Sequence, residues 1–445
     1  MRIVEEIKNY PPISDIFDLY KNEKNAVFLD SSLQNKLGRY SIIGIEPYLE
    51  MVDCEPEELR QYINEHQDKN ETDLPIVSGA IGYFSYDYGR ERMGIVSRHE
   101  KEVDIPECVL VFYDIFIIED HSQNRLFVVA NGNNRDPKEQ INDIRKAIES
   151  LAYIKKSNDD LIIDKTVKYE LTSNFVKEDY LQAVNAMINY IIEGDIYIVN
   201  MTQSLAITSG VKPYSLFRKL RESNPSPFGG YFNYGDFEIV CASPERFMQM
   251  KNRVIETRPI KGTRKRGDTK EEDDFYRDEL KNSEKDKSEL LMIVDLERND
   301  LNRVCVPGSV KVTEMFTIEE YATVFHLVSN ITGKLKEDLN IVDLLKAAFP
   351  GGSITGAPKY RAMELIDKVE NSRRNLYTGC IGYITLDSDC DLNIVIRTAV
   401  YKDGVYHLGV GGGITCESDL EFEYEETLQK AKALVDILKE GGENS

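Results

Sequence analysis

Two pairs of carboxylates have a spacing that could place each pair on one face of a helix. Asp286 and Glu289 are three residues apart, and Glu423 and Glu426 repeat that spacing. Residues three apart are neighbours on a helix surface. If the two helices face each other, the four side chains could supply the oxygen ligands that Mg²⁺ prefers, with positions left for water and a substrate carboxylate. Acidic pairs are also typical of a solvated helix surface, so the spacing alone leaves both interpretations open.

A lysine provides a second candidate group. Lys261 lies between an apolar, strand-like run and a turn, within the basic segment 258–267. An amine held in such a position can serve as a nucleophile. An ordinary solvated lysine of a loop is the alternative, and the position alone does not exclude it.

Two glycine-rich stretches do not fit nucleotide-binding patterns. In 351–359, Ala357 follows the second glycine where the lysine of a phosphate loop would stand. In 409–413 the final glycine of a dinucleotide fingerprint is missing, because position 414 is isoleucine. These glycines therefore indicate a tight turn or a close approach of the backbone to another group.

The N-terminal part of the chain, 1–165, is predicted to be rich in strands. Short apolar or alternating runs at 76–84 and 109–113 are typical of strands, and the polar stretch 155–160 has the composition of a connector. The first clearly amphipathic helix begins at Lys177, and Gly194 is a suitable stop signal.

The remaining part, 166–445, is predicted to alternate strands with helices. Runs at 237–241, 393–397 and 405–410 favour strands, whereas 285–294, 360–368 and 423–438 have helical composition. The polar turn at 387–391 indicates a hairpin rather than a crossover between parallel strands. The sequence therefore predicts an α+β fold with antiparallel sheets.

Charge and composition restrict the possible partners. Acidic residues number 77 against 55 basic ones, and the formal net charge of −22 repels both nucleic acid and an anionic membrane surface. Neither partner is therefore expected, and an anionic substrate would need local positive groups or a recruited cation. No run approaches the roughly 18 apolar residues of a membrane span, and the N-terminus does not look like a signal peptide. The seven cysteines form no CxxC pair, so a cytoplasmic protein with reduced thiols is expected.

Several segments together resemble the chorismate-utilising enzymes, a family that includes anthranilate synthase component I, aminodeoxychorismate synthase component I, isochorismate synthase and salicylate synthase. The segments follow the family order and are 194–203, 242–247, 258–267, 292–300, 349–363, 391–398 and 411–430. The resemblance implies an anthranilate-synthase-like fold, with two large antiparallel sheets packed as a sandwich and helices outside. It also implies that 166–445 is the chorismate-binding region.

The resemblance assigns roles to the acidic residues. Glu289 and Glu426 would hold Mg²⁺, and Asp286 and Glu423 would support the ion through water. The metal would clamp the ring carboxylate of chorismate and polarise its conjugated system. Glu245 would be the general acid that protonates the departing C4 hydroxyl.

The same resemblance identifies substrate contacts. Tyr377 and Arg397 would bind the enolpyruvyl carboxylate, since a guanidinium suits two carboxylate oxygens. Further positions near the ring are Gly262, Thr263, His326, Gly411 and Lys430.

Two positions distinguish the family members. At 261 the anthranilate enzymes carry alanine, whereas the aminodeoxychorismate synthases carry the lysine that is thought to attack C2 before ammonia enters at C4. At 198 the water-adding members carry a lysine base, and this chain has Ile198. The resemblance therefore favours the aminodeoxychorismate branch, with anthranilate synthase component I and a non-catalytic effector-binding or docking subunit as alternatives. It also implies a glutamine amidotransferase partner that delivers ammonia.

A tryptophan pocket is a further implication of the resemblance. The segments 29–31, 38–41 and 224–228 resemble that pocket, with Ser31, Tyr40, Pro227 and Phe228 as candidate effector contacts. A hydrophobic seam between sheets would explain the same residues.

Overall fold

Antiparallel pairing joins all the strands in the described part of the chain. The structure is a computed structural model that describes residues 2–151, 161–321 and 324–441, and its 20 strands form one hydrogen-bonded network. The strands are β1 (Ile3–Ile7), β2 (Ala26–Asp30), β3 (Tyr40–Val52), β4 (Gly79–Phe84), β5 (Cys108–Asp120), β6 (Arg125–Ala130), β7 (Glu170–Ser173), β8 (Ile198–Thr208), β9 (Phe228–Asn233), β10 (Phe237–Ser243), β11 (Arg246–Lys251), β12 (Val254–Thr257), β13 (Ile260–Lys265), β14 (Lys311–Glu320), β15 (Val324–Lys334), β16 (Gly356–Ala357), β17 (Cys380–Thr385), β18 (Cys390–Asn393), β19 (Thr398–Lys402) and β20 (Val405–Ile414).

The helices connect and cover these strands. They are α1 (Ile13–Phe17), α2 (Pro56–Glu65), α3 (Tyr86–Arg92), α4 (Pro137–Leu151), α5 (Lys177–Ile192), α6 (Pro213–Ser223), α7 (Lys270–Asn282), α8 (Glu284–Val304), α9 (Ile341–Ala348), α10 (Lys359–Val369) and α11 (Leu420–Glu440), with a short 3₁₀ turn at Gly352–Ile354. The two long helices α8 and α11 start at side-chain caps: Ser283 accepts from the backbone N–H of Asp286, and Asp419 accepts from that of Phe422. Such caps satisfy backbone donors that a helix start leaves unpaired.

The core lies in layers on both sides of the strands. In β5, Val109 and Val111 belong to a cluster built from strands and loops, whereas Leu110 and Phe112 belong to a cluster that includes α8 and α9. Successive strand side chains point to opposite faces, so β5 is buried by other strands on one face and by helices on the other. This layering confirms the predicted α+β fold.

Most predicted elements are confirmed. Helix α5 begins at Lys177 and buries the expected face, and Gly194 follows it at φ +84°. The turn at 387–391 joins β17 to β18 in an antiparallel hairpin. None of the described helices is both long and apolar enough to cross a membrane.

The prediction of a strand at 393–397 is wrong. Only Asn393 belongs to a strand, and the following residues form the connection from β18 to β19, in which Arg397 has φ +49°. The N–H of Ile396 donates to the carbonyl of Ile394 at 2.9 Å, which closes a tight turn. An apolar run indicates burial, and here the buried run lies in a connection.

The predicted connector at 155–160 lies outside the described residues. The predicted division of the chain at 165 stays a prediction. Strands on the two sides of it share the sheet, because β2 pairs with β9 and β4 pairs with β17.

Candidate active site

One cavity of about 730 Å³ receives side chains from many elements. All the predicted catalytic, substrate and metal residues line it: Glu245, Lys261, Gly262, Thr263, Asp286, Glu289, His326, Tyr377, Arg397, Gly411, Glu423, Glu426 and Lys430. Cavities of this size accommodate small-molecule ligands. The fold thus brings these residues together, while the role of each stays a prediction.

The cavity is bounded by two helices and a group of strands. Helix α8 contributes Asp286 and Glu289, and α11 contributes Glu423, Glu426 and Lys430. These two helices therefore face a common space, which is the arrangement in which the four carboxylates could share a cation. The other walls come from β8, β13, β15 and β20, from the end of α7 and the 3₁₀ turn, from the turn between β10 and β11, and from the connections before β17 and β19.

Lys261 lies inside strand β13 and not beside a turn as the sequence suggested. A β-bulge separates Lys261 from Thr263, with Gly262 at φ +73°. A Cβ added to Gly413 of β20 would lie only 3.1 Å from the Lys261 Nζ, so the amine approaches the glycine backbone. Among the described residues, the side chain of Lys261 forms no hydrogen bond or ion pair. Its amine is therefore available to a ligand in the cavity.

Glu245 is a buried carboxyl at the end of the cavity formed by the 3₁₀ turn. It is 9% exposed, and the Ser353 hydroxyl donates to its Oε1 at 2.9 Å. Burial raises the pKa of Glu245, although the hydrogen bond from Ser353 and the charges of Lys261 and Lys430 act in the opposite direction. A carboxyl that holds its proton at higher pH is suited to act as a general acid.

The carboxylates of α11 lie over another glycine of β20. A Cβ added to Gly412 would lie 3.0 Å from Glu423 Oε2 and 3.7 Å from Glu426 Oε2. Glu423 is 2% exposed; its Oε1 accepts from Ser418 at 2.7 Å, whereas its Oε2 has no hydrogen-bond partner in 2–151, 161–321 or 324–441. Burial raises the pKa of Glu423 and of Glu289, and the charge of Glu426 adds to both shifts. A cation between these helices would relieve this repulsion.

The donor set fits a magnesium ion that shares its coordination with a ligand. Asp286 pairs with Arg264 at 3.1 Å and Glu426 pairs with Lys430 at 2.6 Å. Within 2–151, 161–321 and 324–441, no group of three or more His, Cys, Asp or Glu side chains is arranged to hold a metal. Mg²⁺ is commonly held by only one or two carboxylates together with water and substrate. The partnerless oxygen of Glu423, close to Glu426, is consistent with such a site.

A cationic recess forms another part of the cavity. Arg397 has no carboxylate partner among the described ion pairs. Burial, with a further effect of the Arg397 charge, lowers the pKa of His326 to about 4, so this imidazole is neutral near pH 7. His326 Nδ1 lies 2.8 Å from the Thr263 hydroxyl, and Lys430 donates to the Gly411 carbonyl at 2.9 Å. The unpaired guanidinium could bind a carboxylate.

The lining also includes polar residues that the sequence did not predict, among them Asn200, Lys285 and Ser353. Asn200 and Ser353 lie within segments that carry the family resemblance, so those segments could have suggested them. Lys285 precedes the first acidic pair, and its charge lowers the pKa of Glu289 and Glu423 against the larger effect of burial.

The predicted effector residues lie together in a separate, small cavity. Ser31, Tyr40, Pro227 and Phe228 all line a space of about 60 Å³. The Ser31 hydroxyl lies 2.8 Å from both the Tyr40 and the Pro227 carbonyls. Tryptophan binding there stays a prediction.

Comparison with known proteins indicates one family for this chain. Residues 25–436 match the family described as chorismate binding enzyme. Aminodeoxychorismate synthase component 1 from Bacillus subtilis (strain 168) is 35% identical over 439 residues, which cover 94% of this chain and 92% of that protein. Anthranilate synthase component 1 from Acetivibrio thermocellus is 36% identical over 468 residues, which cover 98% and 94%. The two kinds of relative are thus about equally similar to the chain.

Solved structures agree with the fold. The crystal structure of anthranilate synthase component I from Streptococcus pneumoniae TIGR4 superposes with a TM-score of 0.80 at 28% identity, covering 95% of this chain and 97% of that one. The menaquinone-specific isochorismate synthase from Escherichia coli superposes with a TM-score of 0.75 at 16% identity, covering 98% and 95%. The second likeness shows the fold alone.

Proposed function

Since this chain belongs to the family of chorismate binding enzymes, we propose that it replaces the C4 hydroxyl of chorismate with an amino group, as an aminodeoxychorismate synthase component 1. The observation that carries the proposal is the amine of Lys261, which has no partner within the described part of the chain and lies in the cavity with Glu245 and Glu289. A nucleophile in this place distinguishes the amination at C4 from the other family reactions.

The first half of the reaction uses Lys261 and Glu245. The Lys261 lone pair forms a bond to C2, the ring double bonds shift, and the bond between C4 and oxygen breaks. Glu245 donates the proton with which the hydroxyl leaves as water, and its carboxylate then takes the proton released by the new ammonium group at C2. The raised pKa of Glu245 supports this role as acid.

The second half restores both groups. Ammonia forms a bond to C4, the double bonds shift back, and the bond between C2 and the Lys261 nitrogen breaks. Glu245 protonates the departing nitrogen and recovers a proton from the nitrogen now bound at C4. Hydroxyl has then been exchanged for amine, and both side chains have their starting protonation.

Glu289 and Glu426 are proposed to hold Mg²⁺, with Asp286 and Glu423 supporting it through water. When bound, the ion would neutralise the ring carboxylate and polarise the conjugated system. Arg397 and Tyr377 are proposed to bind the enolpyruvyl carboxylate. The relatives are called component 1, and a second component that supplies ammonia from glutamine is therefore proposed as the partner.

A product assay tests this function. The chain is incubated with chorismate, magnesium and ammonium salt, and the products are separated and identified by mass. We expect 4-amino-4-deoxychorismate. Anthranilate as the sole product would instead support an anthranilate synthase component 1. This alternative is kept open by the similarity of the chain to the anthranilate synthase component 1 from Acetivibrio thermocellus. Absence of any turnover, with retained binding of an amidotransferase or of tryptophan, would support a non-catalytic subunit.

Replacing Glu426 with glutamine should weaken the binding of magnesium. We expect the Mg²⁺ concentration for half-maximal activity to rise by more than about tenfold, because the amide removes an anionic ligand. Titration calorimetry with Mg²⁺ alone should show the same loss of affinity.

The matched control is Glu425→Gln on the same helix. Glu425 lies on the solvent side, 3.9 Å from Lys177, and does not line the cavity. Equal magnesium requirements of the two variants would contradict the assignment of Glu426.

A further inference from the structure

Asn200 is a buried amide of the cavity wall that lacks a partner. It is 9% exposed, and its Nδ2 has no hydrogen bond to any residue that the structure describes. Its backbone is fully engaged: its N–H donates to the Thr355 carbonyl at 2.8 Å, and its carbonyl accepts from Arg374 at 2.6 Å. The carboxamide alone is therefore left to bind something in the cavity.

A buried donor without a partner is costly. Leaving such a group unsatisfied costs about 1–3 kcal/mol, and most buried polar side chains have at least one partner. A carboxamide offers both a donor and an acceptor, and a half-turn about its last bond exchanges the two. A ligand with polar groups in the cavity would satisfy this amide.

The side chains of Asn200 and Lys261 lie near the same part of the cavity. Asn200 of β8 lies directly opposite Gly413 of β20, and the position of a Gly413 Cβ is 3.1 Å from the Lys261 Nζ. Cβ positions of directly opposed residues are about 4.5–5.5 Å apart, so the amine lies within about 9 Å of the Asn200 Cβ. One bound ring can touch both groups.

The neighbouring position on the same face strengthens the case. Ile198 is two residues before Asn200, so both side chains lie on one face of β8, and Ile198 is buried and apolar. Asn200 is the residue that β8 contributes to the cavity lining. It therefore supplies the polar contact from this strand.

We propose that Asn200 is a substrate-contacting residue whose carboxamide hydrogen-bonds the ring ligand at the edge that Lys261 attacks. This inference rests on the proposed function, because it takes chorismate as the ligand. Asn200 thereby fixes the ring relative to the lysine amine and contributes to the choice of the carbon that is attacked.

The test compares binding with stability in Asn200→Leu, which keeps the number and branching of the side-chain heavy atoms and removes the amide. Chorismate binding is measured by titration calorimetry with magnesium present, and unfolding is followed by thermal melting. We expect the dissociation constant and the KM for chorismate to rise by about tenfold or more. We expect the midpoint of unfolding to stay constant or to rise, because an unsatisfied donor has been removed.

The control is Asn330→Leu, a buried asparagine of β15 that donates to Thr313 at 2.9 Å and lines a different cavity. This variant should melt at a lower temperature but bind chorismate with the parental affinity per folded molecule. If leucine at 200 prevents folding, Asn200→Ala removes the amide without added bulk and permits the same comparison.

The outcomes separate this inference from the proposed function. A parental chain that binds no chorismate would refute the proposed function and this inference with it. Parental binding together with an unchanged affinity of Asn200→Leu would refute only the contact by Asn200. The same holds for a variant that melts early and binds normally once the folded fraction is taken into account.

Discussion

Replacing Lys261 with alanine is expected to lower the rate of 4-amino-4-deoxychorismate formation by more than about 10³, since removal of a nucleophile leaves only binding and polarisation. Ammonia attack at C2 would then be favoured, and anthranilate is the expected residual product. Rates are measured by chromatographic separation of the products formed from chorismate and ammonium. Production of 4-amino-4-deoxychorismate at the parental rate would show that Lys261 is not the nucleophile.

Lys265→Ala is the matched control for this variant. Lys265 lies on the same strand, is exposed, places its ammonium 5.2 Å from the ring centre of Tyr276, and does not line the cavity. Its activity should equal that of the parent. A second measurement omits ammonia: intact-protein mass should then show an adduct of chorismate less water on the parent and none on Lys261→Ala.

Replacing Glu245 with glutamine is expected to lower kcat by about 10²–10⁴, the contribution typical of a positioned general acid. Burial raises the pKa of Glu245, and the protonated form is the active one. The parental rate should therefore fall as the pH rises through this raised pKa, and Glu245→Gln should lose that fall. Initial rates between pH 6 and 9 are measured at saturating chorismate.

Variants of two neighbouring residues test whether Glu245 causes the fall of the rate at alkaline pH. Ser353→Ala removes the hydrogen bond that lowers the pKa of Glu245, so the fall should move to higher pH. Glu297 is a second buried carboxyl that interacts with Glu245, and burial raises its pKa to about 8. Asp300 and Lys359 also act on it. If Glu245→Gln kept the alkaline fall and Glu297→Gln lost it, the acid would be misassigned.

The sequence predicted local features of the site more reliably than their arrangement. Spacing alone placed Asp286 and Glu289 on one helix, and Glu423 and Glu426 on another, because helical periodicity is a local property. Their meeting across one cavity depends on contacts between residues more than a hundred positions apart. Only the resemblance to a family implied that convergence.

Other features depend on coordinates. The run before Arg397 has the apolarity of a strand, yet its backbone turns because burial and ladder pairing are separate requirements. The missing partner of the Asn200 amide is likewise invisible in the sequence, since it follows from which acceptors the fold places nearby. In the run before Arg397, residue type predicted burial correctly but not the backbone conformation.

Glycines of strand β20 allow three side chains of the cavity to lie close to the backbone of the strand. A methyl group at Gly409 would collide with Tyr377, one at Gly412 would approach Glu423, and one at Gly413 would approach Lys261. These three glycines thus determine how closely the ring of Tyr377, the carboxylate of Glu423 and the amine of Lys261 can approach the backbone of the strand. An alanine at any of the three positions would therefore displace a titrating side chain of the cavity, namely Tyr377, Glu423 or Lys261.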